Sequence, residues 1–165
     1  MKPLLPMTQK LRDKIKMNIK NKIDISSLIE DIDFKGEDLS GAIITKLVRT
    51  DADISNCNFS HTTLGDETGK SVFSLIRCKM RNCNFHGAKF VGKTWIRSCD
   101  ARNCNFKHAD ISRAEYQYTD FRDCTFCESI IRIGTKDGLG CIFPTQMFDD
   151  LCKGWRMKIK AEHIK

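Results

Sequence analysis

The sequence lacks any long apolar run. Its 165 residues hold no apolar stretch that approaches the roughly 18–20 residues needed by a membrane-spanning helix. Residues 1–14 contain only a short apolar patch, which Pro3 and Pro6 interrupt, and this is not the apolar core of a secretory signal. We therefore expect a cytoplasmic chain without a membrane span.

Motifs for catalysis are also missing. The sequence shows no nucleophile–base pair at a recognised spacing, no phosphate-binding glycine loop and no acid pair placed by a motif. We expect a protein that is not an enzyme and that needs no cofactor.

Cysteine is abundant, but its pattern does not indicate a disulfide framework. The nine cysteines are an odd number, in a chain that is not small and shows no secretion signal. Reduced thiols that serve as small apolar side chains are the better interpretation.

Charge is distributed unevenly around the formal net value of +7. Residues 1–22 hold seven basic residues and one acid, whereas residues 24–67 hold ten acids and three basic residues. The chain therefore has basic ends and an acidic first half of its central region.

Large apolar residues recur every five positions through most of the chain. Two residues before most of them stands a small residue or a cysteine, as in the copies of RNCNF at 81–85 and 102–106. A helix would need a period of 3.6 and an alternating strand a period of 2. A period of five predicts short extended pieces joined by tight corners, each sending one small and one large side chain inward.

The repeated units resemble the pentapeptide repeat family, whose unit is A-(D/N)-L-x-x. Examples are EDLSG, ADISN, CNFSH, CNFHG, AKFVG, CNFKH, ADISR and TDFRD, within a repeat region at 32–131. The resemblance implies an all-β solenoid, a right-handed quadrilateral β-helix with four units per coil. About five coils are expected, with short α-helical caps at both ends.

The RNCNF spacing of 21 indicates coils of twenty residues with a one-residue slip near Trp95. Equivalent residues then stack at about 4.8 Å. We predict a structural core ladder with asparagines outside it at 58, 84 and 105. The ladder comprises Phe59, Phe85, Phe106 and Phe126 beside Cys57, Cys83, Cys104 and Cys124.

The open ends of such a coil need covers. Leu11, Ile15 and Ile19 lie four apart in residues 8–22, which predicts a one-sided helix. We expect a basic N-terminal helix and cap at 1–31, the β-helix at 32–133, and a linker with a C-terminal capping helix at 134–165. The predicted apolar face of that last helix is formed by Phe148, Leu151, Cys152, Trp155 and Ile159.

One side of the predicted coil departs from the pattern. Both insertions enter it, at 65–72 and at 91–95, and its outward positions include apolar residues. Clustered exposed apolar residues favour a contact surface. The alternative is that loop 65–72 folds over them. The candidate interaction face comprises Val48, Arg49, Ile76, Trp95 and Tyr118.

Two columns of charged or titratable side chains are candidate sites. Arg81, Arg102 and Arg122 form a candidate basic column for phosphate or an acidic partner, unless Asp100 and Asp120 neutralise it. His61, His86 and His108 fall near one corner, as solvated turn residues or as a pH-sensing or metal column. The cysteine column cannot wrap one tetrahedral zinc, so we expect no metal site.

These features favour a non-catalytic interaction module with a protein partner. The family resemblance implies an alternative, a DNA-mimicking protector of gyrase, a type II topoisomerase. It also implies a homodimer through the C-terminal helix, with Trp155 as the candidate contact. A second alternative is nucleic-acid binding through the basic ends and the basic column, although aromatic residues are not interleaved with the bases.

Overall fold

The computed structural model describes residues 3–131, 139–145 and 147. The elements in chain order are β1 (Leu5–Pro6), α1 (Gln9–Lys20), α2 (Ser26–Ile29), β2 (Ile32–Asp33), β3 (Ile43–Ile44), β4 (Leu47–Thr50), β5 (Thr63–Asp66), β6 (Val72–Ile76), β7 (Lys89–Arg97) and β8 (Ala114–Gln117). The predicted C-terminal helix face and the dimer contact at Trp155 lie outside the described residues.

The strands are parallel and stack in layers, because each coil brings the chain back over the preceding coil. The larger sheet has the order β3-β5-β7-β6-β4, with β8 beside β7, and β1 pairs with β2 separately. Outside the strands, parallel bridges connect the successive positions 38, 58, 84, 105 and 125. The wider steps in this series reflect the insertion at 65–72 and the slip near Trp95. The result is a parallel β-helix-type solenoid.

The interior is one continuous hydrophobic core. On the side that we call the Phe-ladder face, the rings of Phe59, Phe85, Phe106 and Phe126 are buried. Successive ring centroids are 5.1, 5.0 and 5.1 Å apart and the rings are nearly parallel. These rings therefore fill the space between neighbouring coils.

The four cysteines beside the phenylalanines are buried and reduced. Each thiol donates a hydrogen bond to a carbonyl of the preceding coil. The Sγ–O distances are 3.0 Å from Cys57 to Phe34, 3.1 Å from Cys83 to Ile54, 2.9 Å from Cys104 to Met80 and 2.9 Å from Cys124 to Ala101. The thiols thus add hydrogen-bond donors for backbone carbonyls between the coils.

Asparagine forms two outer ladders. Asn56, Asn82 and Asn103 occupy corners with φ of 63°, 58° and 59°, a left-handed conformation that asparagine tolerates. Their side-chain amides bond one another, at 3.0 and 2.8 Å. The amides of Asn58, Asn84 and Asn105 form a second series, with two steps of 3.1 Å.

The helix α1 packs against the first coil. In α1 the side chain of Thr8 accepts a hydrogen bond from the Leu11 N–H, and Ile15 is buried in the core. Arg12 binds Glu37 of the first coil through its guanidinium. No helix within the described ranges is long and apolar enough to cross a bilayer.

The corner between β5 and β7 depends on two glycines. Gly65 and Gly92 have φ of 103° and 61°. A Cβ on Gly65 would overlap the Val91 carbonyl, and one on Gly92 would overlap the Asp66 carbonyl. The two backbones therefore approach more closely here than any side chain allows.

Candidate interaction face

The irregular side of the solenoid is a parallel sheet made of β4, β6, β7 and β8. Its outward side chains lie in two rows, fixed by the strand register. We call these eight positions the Trp95 face. The first row is Val48, Ser74, Trp95 and Glu115, and the second is Thr50, Ile76, Arg97 and Gln117.

Four of the predicted face residues are accessible. Val48 is 53% exposed and Tyr118 is 59% exposed. Ile76 and Trp95 are half-buried. Apolar side chains are thus open to solvent on this side of the solenoid.

The fifth predicted residue, Arg49, is not part of this surface. It is only 5% exposed and its strand position points inward. Its guanidinium donates to the carbonyl oxygens of Ile29 and Ile32 and lies 5.3 Å from the centroid of the Phe34 ring. Burial lowers the pKa of Arg49. Arg49 closes the end of α2 from inside the coil, and so it cannot contact a partner.

Trp95 is held in place by its neighbours. The guanidinium carbon of Arg97 lies 5.0 Å from the centroid of the Trp95 ring, and Arg97 also pairs with Glu115 at 2.9 Å. Ser74, beside Trp95 in the first row, is only 2% exposed although its position is outward. These contacts favour one orientation of the indole in the free protein.

The loop at 66–71 is organised by its own hydrogen bonds. The Asp66 carboxylate accepts from the backbone N–H of Thr68 at 3.0 Å, from the Thr68 hydroxyl at 2.7 Å and from the Ser71 N–H at 3.1 Å. These bonds lower the pKa of Asp66. Since Val48 stays largely open, the loop does not cover the whole face. Its backbone donors are already occupied by a carboxylate.

Tyr118 marks the corner beside the face. It has φ of 51°, and its N–H donates to the Leu139 carbonyl at 2.8 Å. Its ring lies directly against Gly140, where a Cβ would collide with it. This glycine allows the ring to lie flat at the corner.

The predicted basic column is neutralised in place. Arg81 and Arg102 both pair with Asp100, and Arg122 pairs with Asp120 at 2.7 Å. The hydrogen bond from Arg122 lowers the pKa of Asp120, and the same bond raises the pKa of Arg122. The arginines therefore alternate with carboxylates and do not form an uncompensated positive stripe.

The three predicted histidines do stack. Ring centroids are 5.2 Å apart from His61 to His86 and again from His86 to His108, in edge-to-face arrangements. His108 Nδ1 lies 2.9 Å from Glu128 Oε2. Partial burial and the neighbouring His108, His61 and Lys107 lower the pKa of His86. Among the described residues, no group of three or more such side chains could hold a metal ion.

Sequence reasoning missed the partners that fix Trp95. Arg97 stands two residues after Trp95, which places both on one side of a strand, and Glu115 stands one coil later. The spacing of these residues is visible in the sequence, but it indicates a contact only once the twenty-residue register between coils is known.

Stacked parallel coils and an irregular outer sheet define a solenoid of short repeats. Residues 96–126 match the family model described as pentapeptide repeats, with 8 copies. The chain therefore carries pentapeptide repeats, and the recognition of this family in the sequence is confirmed.

Solved structures similar to this chain include two that are described as pentapeptide repeat proteins and one fluoroquinolone resistance protein. One from the Arabidopsis thaliana thylakoid lumen has 14% identity and a TM-score of 0.31, over 73% of this chain and 74% of that one. The plasmid-mediated fluoroquinolone resistance protein QnrB1 has 20% identity and a TM-score of 0.29, over 67% of this chain and 62% of that one.

HetL, involved in heterocyst differentiation regulation in Nostoc, has 15% identity and a TM-score of 0.25, over 70% of this chain and 69% of that one. No curated protein matches the chain.

Proposed function

We propose that this chain is a non-catalytic interaction module that binds a protein partner through the Trp95 face and Tyr118. The observation that carries the proposal is the fixed, half-buried Trp95, which is stacked on Arg97 and lies in the row that also holds the exposed Val48. Residues with energetically dominant roles at interfaces are enriched in Trp, Tyr and Arg.

Preorganisation supports the same conclusion. Immobilising a side chain on binding costs about 0.5–1.5 kcal/mol for a rotamer-rich residue. The contacts among Trp95, Arg97 and Glu115 already restrict the indole in the free protein. A partner would therefore meet a preorganised aromatic anchor on a hydrogen-bonded sheet.

The charge arrangement favours this function over a DNA-mimicking surface or a nucleic-acid site. Two acids of the early coils are paired, Asp51 with Arg77 at 2.7 Å and Asp53 with Lys35 at 2.6 Å. The arginines of the basic column are paired as well. Neither sign of charge forms a continuous free stripe along these two columns.

The finer architecture belongs to the same proposal. We propose a right-handed quadrilateral coil of about five turns at 32–133, with caps at 1–31 and 134–165. Columns of five bridged positions support the coil number. The right-handed preference of parallel crossover connections supports the handedness.

A site-specific photo-crosslinker tests the proposed surface. It is placed at Val48 on the Trp95 face or, as the matched control, at the exposed Thr125 on the Phe-ladder face. We expect a protein adduct from Val48 but not from Thr125. The adduct should disappear in a Trp95→Ala, Tyr118→Ala variant whose circular dichroism and melting temperature remain those of a folded chain.

Equal adducts from both positions would indicate non-specific contact and would contradict the proposal. So would an adduct at Val48 that persists unchanged in the double variant.

A further inference from the structure

The outer side of α1 carries a row of lysines. Ile15 faces the core, with Leu11 and Ile19 packed around it, so the opposite side of the helix points to solvent. Lys10, Lys14 and Lys20 lie on that outer side, and Lys16 and Lys22 are exposed beside it. The inner contacts fix which side of the helix is available.

These lysines carry uncompensated charge. Within residues 3–131, none of the five forms a salt bridge, whereas Arg12 on the same helix is bound to Glu37. The single acid of the helix, Asp13, accepts a hydrogen bond from Gln9 at 2.9 Å. Asp13 is the one acid among these five lysines, so the net charge of this outer side is positive.

Exposed apolar side chains accompany the lysines. Met17 is 57% exposed and follows Lys10 and Lys14 on the same side of α1, and Ile23, just after the helix, is 50% exposed. Met17 has Lys14 and Lys20 as neighbours on the helix surface, and within the described residues it does not pack against the core. This combination differs from the basic column, where each arginine has a carboxylate beside it.

We propose that the outer side of α1 binds an anionic lipid surface. The lysines would meet headgroup phosphates, while Met17 and Ile23 would enter the boundary between headgroups and acyl chains, as in interfacial helices that lie in the membrane plane. Clustered basic residues bind anionic bilayers through charge. A nucleic acid fits less well, because α1 has no aromatic residue for base stacking and phosphates offer no apolar layer for Met17.

Vesicle sedimentation with the full chain tests this surface. Vesicles contain equal parts phosphatidylglycerol and phosphatidylcholine, and vesicles of phosphatidylcholine alone serve as the neutral comparison. We expect binding to the first only, weakened by salt. A Lys10→Gln, Lys14→Gln, Lys20→Gln variant should lower the partition coefficient by at least about tenfold.

The matched control removes the same amount of charge elsewhere. Lys79→Gln, Lys89→Gln, Lys107→Gln changes three lysines on other sides of the coil and should retain most of the binding. Met17→Gln leaves the charge unchanged and should lower binding by about threefold or more. This is the loss expected when two or three partially buried methylene groups no longer enter the bilayer.

Three results would overturn the proposal. The first is no binding to anionic vesicles at low salt, and the second is an equal loss in both lysine triples. The third is that the chain binds duplex DNA as strongly as it binds vesicles and that Met17→Gln affects neither. That result would identify a general polyanion site. Circular dichroism checks that α1 is retained in each variant.

Discussion

At the scale of single residues, Arg49 shows how the solenoid uses an inward charge. The short helix α2 ends at Ile29, and the end of a helix leaves carbonyl groups without partners. Arg49 supplies donors to Ile29 and Ile32 and covers the Phe34 ring. The charged position is therefore a structural adaptation to the end of the coil.

Replacing Arg49 should be costly. Arg49→Ala removes the donors, leaves two carbonyls poorly satisfied and creates a cavity, so we expect a loss of about 2–5 kcal/mol in the free energy of unfolding. Urea unfolding measures this loss. The same change at the exposed Arg113 should stay within about 0.5 kcal/mol, and equal losses at both positions would argue against the role of Arg49.

At the scale of elements, the long strand β7 turns the corner between two sides of the coil. Its first part pairs with β5 and its second part with β6. The close approach at Gly65 and Gly92 is what lets one strand serve both neighbours while the insertion at 66–71 leaves the coil.

Gly92→Ala should therefore disrupt this corner. The alanine would have to adopt a left-handed backbone conformation, and its Cβ would overlap the Asp66 carbonyl. We therefore expect the free energy of unfolding to fall by at least about 3 kcal/mol. Gly69→Ala is the matched control, since Gly69 has φ of 70° but open space around it, and should lose about 1–2 kcal/mol. Similar melting temperatures for the two variants would contradict this account.

The helix α1 makes a second element-scale prediction, which tests whether it closes the first coil. Ile15→Ala should lower the free energy of unfolding by about 2–5 kcal/mol, because Ile15 is buried in the core. Met17→Ala, on the exposed side of the same helix, should change it by less than about 0.5 kcal/mol. Equal effects in denaturant unfolding would mean that α1 does not pack on the coil as described.

At the scale of the whole molecule, the period of five predicted which residues lie inside. The large inward residues, such as Phe85 and Phe106, follow directly from it, because every coil presents the same positions at the same height. The outer asparagine column followed from the same repeat. The amide ladder of Asn56, Asn82 and Asn103 could have been predicted too, since each RNCNF copy also places an asparagine at a corner.

The remaining features depend on where the repeat breaks. The guanidinium of Arg49 faces inward, where it bonds the carbonyl oxygens of Ile29 and Ile32, and no local pattern near Arg49 indicates these partners. The row of Ser74, Trp95 and Glu115 requires the register between coils, which is 21 residues from β6 to β7 and 20 residues from β7 to β8. Interactions between coils thus become predictable only after insertions are placed.

The histidine column makes the stability of the whole coil depend on pH. The folded chain holds the pKa of His86 below its ordinary value near 6.5, through partial burial and the nearby His108, His61 and Lys107. The folded state therefore binds this proton more weakly than the unfolded state. The contribution of His86 to stability is present above its ordinary pKa near 6.5, and it is lost as the pH falls from there through the lowered pKa of the folded chain.

Urea unfolding at about pH 7.5 and about pH 5.5 tests this prediction, with a lower midpoint expected at the lower pH. Asp53 should contribute little in this window. Although burial opposes its ionisation, hydrogen bonds from Lys35 and Ser55 lower the pKa of Asp53 to about 2, so its contribution is lost only in stronger acid. His86→Gln should reduce the difference between the two midpoints, because it interrupts the column at its centre while Glu128 still faces His108. An unchanged difference in that variant would place the pH dependence outside the histidine column.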